Sequence, residues 1–242
     1  MLEKLYYKKI FMHFRRILLK YDYFIDFIFK YNVIYKNYLK LLGYNFSPNL
    51  SHKIPWNNTT LKKREDLRLC NHIIQKSKLN FHPQLVLAKN WDNLIALNII
   101  LQNSTKSSLI LDAGGERDSL ILHWLYQFGY KNLKAINLVF NKKKTYGKIE
   151  FIPGDLTKTP FQNEFFDIVI CLSVIEHGVD DDKYFKEMNR ILKIGGILIT
   201  STDYWEKEIS TKSSLAFNSP IFVYNRRTIE NSLKKAYNRG LR

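Results

Sequence analysis

An α/β fold organised on a parallel sheet is predicted by three observations. Beyond residue 108, short apolar runs alternate with longer segments of helical spacing. The runs, such as Leu109–Leu111 and Ile168–Leu172, are near-continuous in apolar residues, as expected of strands covered on both faces. The chain has 242 residues, enough for one sizeable α/β domain and an extension.

The elements follow in order. Residues 3–43 contain no proline, and no glycine before Gly43. Leu5, Ile10, Phe11, Phe14, Ile17, Leu18 and Tyr21 recur near helical spacing, with Lys8, Lys9, Arg15, Arg16 and Lys20 between them. Residues 44–60 carry Pro48, Pro55 and several Asn and Ser, the composition of a linker. Helices are expected at 61–79 and in the segment after FHPQ. Strands are expected at 108–113, 134–138, 149–153, 166–172 and 196–202, and helices at 117–129, 181–193 and 226–238. The predicted division is a basic, aromatic-rich helical extension over 1–84 and a second domain over 85–242.

Charge separates the same two parts. The net charge of +16 is concentrated in residues 1–108, with 18 Lys and Arg against 6 Asp and Glu. Fourteen of the 35 aromatic residues lie in residues 1–50, so this segment suits either an anionic membrane surface, a protein partner, or packing on its own domain. Asp22, Asp26 and Lys30 interrupt the best apolar run, which argues against a membrane span. The N-terminus lacks a signal-peptide pattern, and two cysteines fit a reducing compartment, so a cytoplasmic protein is expected, with peripheral contact to the inner membrane face as an extension of that reading.

Chemistry-bearing residues cluster at the predicted carboxyl ends of strands, where ligands of open α/β sheets bind. Asp112-Ala113-Gly114-Gly115 is a turn that lets backbone approach a ligand, or a plain tight turn. Asn137 closes the second strand. Gly154-Asp155-Leu156 follows the third, and Asp155 there is either a ligand acceptor or a turn cap. Cys171, Leu172 and Ser173 leave room at the end of the fourth strand. His177 can take a proton or shape a loop, and Glu176 fits a local structural role. Asp180, Asp181 and Asp182 precede a helix and suit N-terminal capping, and no Cys/His cluster has metal spacing. Asp203, Tyr204 and Trp205 end the fifth strand and suit either sugar binding or loop packing.

In this order, LILDAGGERDS, GDLTKTPFQNEFFDIVICLSVIEHG and LKIGGILITSTDYW resemble the core of a class I S-adenosylmethionine-dependent methyltransferase, in the branch whose fourth strand leads into VIEH. The resemblance covers residues 85–242. KNWD at 89–92, with SVIEHG and STDYW, is similar to bacterial methyltransferases associated with surface-polysaccharide synthesis.

The resemblance implies a Rossmann-like doubly wound sheet with S-adenosylmethionine as cofactor. Asp112, Ala113, Gly114 and Gly115 would form its loop, Asn137 would meet the ribose, and Asp155 and Leu156 the adenine. Cys171, Leu172 and Ser173 would flank the methyl donor, and Trp91 and Asp92 would close the pocket. His177 is the first candidate base and Asp203 the second. Tyr204 and Trp205 would bind the acceptor, a small molecule or glycan offering a sugar hydroxyl.

Three departures stand beside this. Glu116 and Asp118 occupy positions where the family often has glycine, and Asn137 stands where it often has an acid. The family's last two strands have almost no sequence left after the helix at 226–238. An exposed edge strand is therefore expected, met by a partner, a homodimer or the N-terminal helices. The alternatives are a catalytically inactive protein of this fold that serves interaction and, with nucleic acid a disfavoured partner, an RNA methyltransferase.

Overall fold

The computed structural model describes residues 22–80, 88–211, 215–216 and 219–242. The proposed apolar stripe from Leu5 to Tyr21 lies outside them. Four helices precede the sheet: α1 (Asp22–Phe29), α2 (Asn32–Leu41), α3 (Arg64–Lys76) and α4 (Ala88–Asn103). The described part of the stretch free of proline up to Gly43 forms two helices, broken at Lys30 and Tyr31. Then come β1 (Leu109–Ala113), α5 (Leu120–Gln127), β2 (Asn132–Asn137), β3 (Lys144–Tyr146), β4 (Ile149–Pro153), β5 (Phe166–Leu172), α6 (Asp181–Ile191), β6 (Leu192–Ser201), β7 (Leu215–Ala216), β8 (Ser219–Pro220) and α7 (Arg226–Asn238).

The main sheet has the order β3-β4-β2-β1-β5-β6. All its pairings are parallel except β3 with β4. The chain winds outward from β1 in one direction through α5 to β2, and from β5 in the other through α6 to β6. The order reverses between β1 and β5, which makes the carboxyl ends of these two strands the crevice of a doubly wound sheet. Strand β6 differs from the expected turn-then-strand at Gly195-Gly196. It starts at Leu192 opposite Phe166, and its register then slips, so that Ile197 faces Ile168.

Alternation along the strands sorts side chains to two faces. Ile110, Ile168 and Ile170 join α4, α5 and the N-terminal helices in the larger core, where Trp124, Leu97 and Ile100 are fully buried. Leu111, Ala113, Val169 and Cys171 join α6 and α7 in the second core, with Tyr184 and Met188. Helices α1 and α2 supply Ile25, Phe29, Tyr35 and Leu39 to the larger core. They cover the β3 edge, where the Gly147 N–H donates to the Phe29 carbonyl at 2.8 Å. Asp26 meets Lys144 at 2.9 Å and the Tyr146 hydroxyl at 2.8 Å there. These two helices thus lie at the β3 edge, while among the described residues β6 pairs with β5 alone. The capping expectation holds, since Asp180 accepts from the N–H groups of Asp182 and Lys183 at 3.0 and 3.1 Å. No helix among the described residues is long and apolar enough to cross a membrane.

Candidate active site

The loop after β1 is shaped by two glycines and one buried carboxylate. Gly114 has φ of +92°, and a Cβ there would fall 2.6 Å from Val174. A Cβ on Gly115 would fall 2.0 Å from the Asp112 carboxylate. Asp112 thus lies against the loop, and its Oδ2 accepts the Ser119 hydroxyl at 2.7 Å. Burial pushes the Asp112 carboxyl up to about 6, with Asp92 adding to the shift. Ala113 is fully buried. The loop is held from β2 by Asn137, whose Nδ2 donates to the Gly114 carbonyl at 2.6 Å while its Oδ1 accepts from the Val139 N–H at 3.1 Å. A carboxylate could not make the first of these bonds, because it has no proton to donate. The amide at position 137 is therefore a clamp on the loop.

Asp155 is exposed and accepts from the Thr157 N–H at 2.7 Å and the Thr157 hydroxyl at 2.8 Å. Leu156 beside it is half-buried in the second core. Cys171 is fully buried, and that burial pushes its thiol up, which makes it inert as a nucleophile. Leu172 faces the larger core.

The ends of β5 and β6 are joined by one carboxylate from α4. Asp92 Oδ2 accepts from the hydroxyls of Ser173 at 3.2 Å and Ser201 at 2.9 Å, and Oδ1 accepts the Asn93 N–H at 2.8 Å. Ser173 has φ of +52° and donates its N–H to the Ser201 carbonyl at 3.1 Å. Asp92 therefore closes this side, whereas Trp91 turns into the core and packs on Trp56 with ring centroids 4.2 Å apart.

Beyond these bonds lies a charged group that sequence reasoning caught only in part. Glu176 is 1% exposed, accepts the Thr202 hydroxyl at 3.3 Å, and is pushed by burial, with Asp203 adding, to about 7. His177 is half-buried, and burial together with Lys89 holds its imidazole below the ordinary value. Burial also raises Asp92, and Lys89, on the first turn of α4, offsets part of the rise in both Asp92 and Glu176. Lys89 was legible only as a member of KNWD and Glu176 only in a local role; no spacing rule joins residues 87 positions apart. Asp203 is exposed, and its carbonyl accepts the Tyr224 N–H at 2.9 Å. Tyr204 bridges to Tyr224, and Trp205 is 58% exposed beyond it. The described residues hold no cluster of metal-ligating side chains.

The structure thus gathers Asp112, Ala113, Gly114, Gly115, Asn137, Ser173, His177 and Asp203 at one end of the sheet, on both sides of the switch point. Residues 120–200 match the family model described as a methyltransferase domain. The matched stretch, from α5 to β6 of the doubly wound sheet, is thus similar to a methyltransferase domain. Curated proteins to which the chain is similar include the norajmaline N-methyltransferase of Rauvolfia serpentina, 25% identical over 42% of this chain and 38% of that protein. The sterol 24-C-methyltransferase of Gibberella zeae is 32% identical over 30% of this chain and 18% of that protein. The chain spans less than half the length of these relatives. Among solved structures, the geranyl diphosphate C-methyltransferase of Streptomyces coelicolor A3(2) is 16% identical, with a TM-score of 0.49 over 73% of this chain and 65% of that one.

Proposed function

We propose that this chain transfers a methyl group from S-adenosylmethionine to a hydroxyl of a small-molecule or glycan acceptor. The observation that carries the reading is a glycine loop at the carboxyl end of β1, with a half-buried imidazole held low by its surroundings beyond the end of the neighbouring strand β5. The residues at the β1 end fit the cofactor: only glycine fits against Val174 and Asp112 at Gly114 and Gly115, which keeps the loop backbone tight at the strand end, and Asn137 fixes that loop through the Gly114 carbonyl. When bound, S-adenosylmethionine supplies a methyl group on a sulfonium, a leaving group that needs no further activation.

The chain then supplies position and a proton acceptor. Burial and Lys89 disfavour the charged form of His177, and a neutral imidazole is the form a base needs. It takes the proton of the acceptor hydroxyl as the oxygen forms its bond to the methyl carbon. Asp203, Tyr204 and Trp205 form the acceptor side, with an exposed indole suited to the C–H face of a sugar. His177→Ala is expected to lower turnover by about 100-fold while donor affinity is unchanged. Calorimetric titration of donor and kinetics with a verified acceptor check this, and undiminished turnover removes His177 as the base.

A second reading is supported by Asn137, whose donor is committed to the loop. In that reading the fold serves binding without transfer. Calorimetry of the intact chain with S-adenosylmethionine separates the two, because no heat at millimolar donor sinks the enzyme reading.

A further inference from the structure

A line of buried polar contacts runs from the N-terminal helices to the glycine loop. Tyr35, on α2, is 3% exposed, and its hydroxyl lies 2.9 Å from His123 Nε2. His123 is buried on α5, and its Nδ1 lies 2.8 Å from the Ser119 carbonyl. A carbonyl only accepts, so Nδ1 carries the proton, Nε2 is bare, and the Tyr35 hydroxyl must be the donor. Ser119 is the N-cap residue of α5, and its own hydroxyl donates to Asp112 at 2.7 Å. The Asp112 carboxylate in turn lies against Gly115. Burial favours the neutral forms of both His123 and Tyr35, so the donor order along the line is fixed.

We propose that α1 and α2 are a positioning element for the glycine loop, acting through Tyr35, His123, Ser119 and Asp112. Its meaning for catalysis rests on the reading that this loop holds S-adenosylmethionine. Tyr35 touches neither loop nor cofactor site; it sets the imidazole that holds the Ser119 peptide. Loss of its hydroxyl leaves Nε2 buried without its donor, which weakens the hold of His123 on the Ser119 carbonyl. An internal control exists in Tyr126, which joins the same two helices through Asn32 Oδ1 at 2.9 Å but lies off this line.

The test compares full-length wild type, Tyr35→Phe and Tyr126→Phe by amide hydrogen exchange over residues 112–119 and by donor titration. Tyr35→Phe is expected to speed loop exchange and to weaken S-adenosylmethionine binding, each by about tenfold, with Tyr126→Phe matching wild type in both. In turnover, KM for the donor rises and kcat stays. Loop exchange equal in Tyr35→Phe and wild type, or raised as much by Tyr126→Phe, overturns the proposal. Selective loop loosening in a chain whose wild type binds no donor supports the positioning role and sinks the cofactor reading instead.

Discussion

The two halves of the site are built on opposite principles. On the β1–β2 side, polar groups are spent on one another: Asp112 on Ser119, Asn137 on Gly114 and Val139, Asp155 on Thr157. On the β5–β6 side, Asp92, Glu176, His177, Asp203 and Lys89 act on one another electrostatically, and few of their contacts neutralise charge. The first half is a frame whose shape is fixed before anything binds. The second stores unfavourable desolvation in groups able to exchange protons. A site that must hold one molecule still and deprotonate another needs both.

The comparison can be broken first at the frame. Gly115→Ala places a methyl group onto the Asp112 carboxylate, and donor affinity is expected to fall by ~100-fold in a chain that still folds. Circular dichroism and donor titration check this, and retained affinity would show a loop free to move aside. Next is the loaded half. Glu176 rises from 4.5 to about 7, so its stabilising contribution is complete below pH 4.5 and lost as pH rises through about 7. Glu176→Gln removes that loss, so its stability relative to wild type should improve by about 3 kcal/mol between pH 4 and pH 8. Urea melts at both pH values measure it; a difference independent of pH contradicts the assignment. The smallest effect is expected at Asn137→Asp, which loses the donor to Gly114 and should cost about 1 kcal/mol in the same melts. No loss there would mean that the clamp is idle.

How much of this could be read beforehand follows the range of the interactions. The strands at 149–153 and 166–172, and the helix at 226–238, were legible to the residue because apolar runs and caps are local signals. The edge strand at Lys144–Tyr146 was not, since KTY has no apolar run and is held by Asp26, more than a hundred residues earlier. The positions of Asp112, Gly114 and Gly115 at a strand end were legible, but the role of Asn137 was not. As a ribose acceptor it looked deficient, yet its donor is what the loop uses. Lys89 escaped singling out, and Glu176 was read only in a local role, for the same reason as β3: their partners come from other elements. Asp155 makes only contacts within its own turn, which sequence reasoning had named beside the ligand role.

The short β3 strand has a consequence for how the molecule behaves in a crowd. Lys144 on this rim is 7% exposed and tied to Asp26, and Phe29 occupies the adjoining N–H of Gly147. An incoming strand finds no template on that rim, because an inward-pointing paired charge and a covering helix both disfavour ladder extension. Among the described residues the main sheet can therefore grow at one rim only, along β6, where Ile197 and Ile199 are half-buried. Self-association by strand addition would then stop at pairs joined through β6, because each copy brings a blocked rim to its far side.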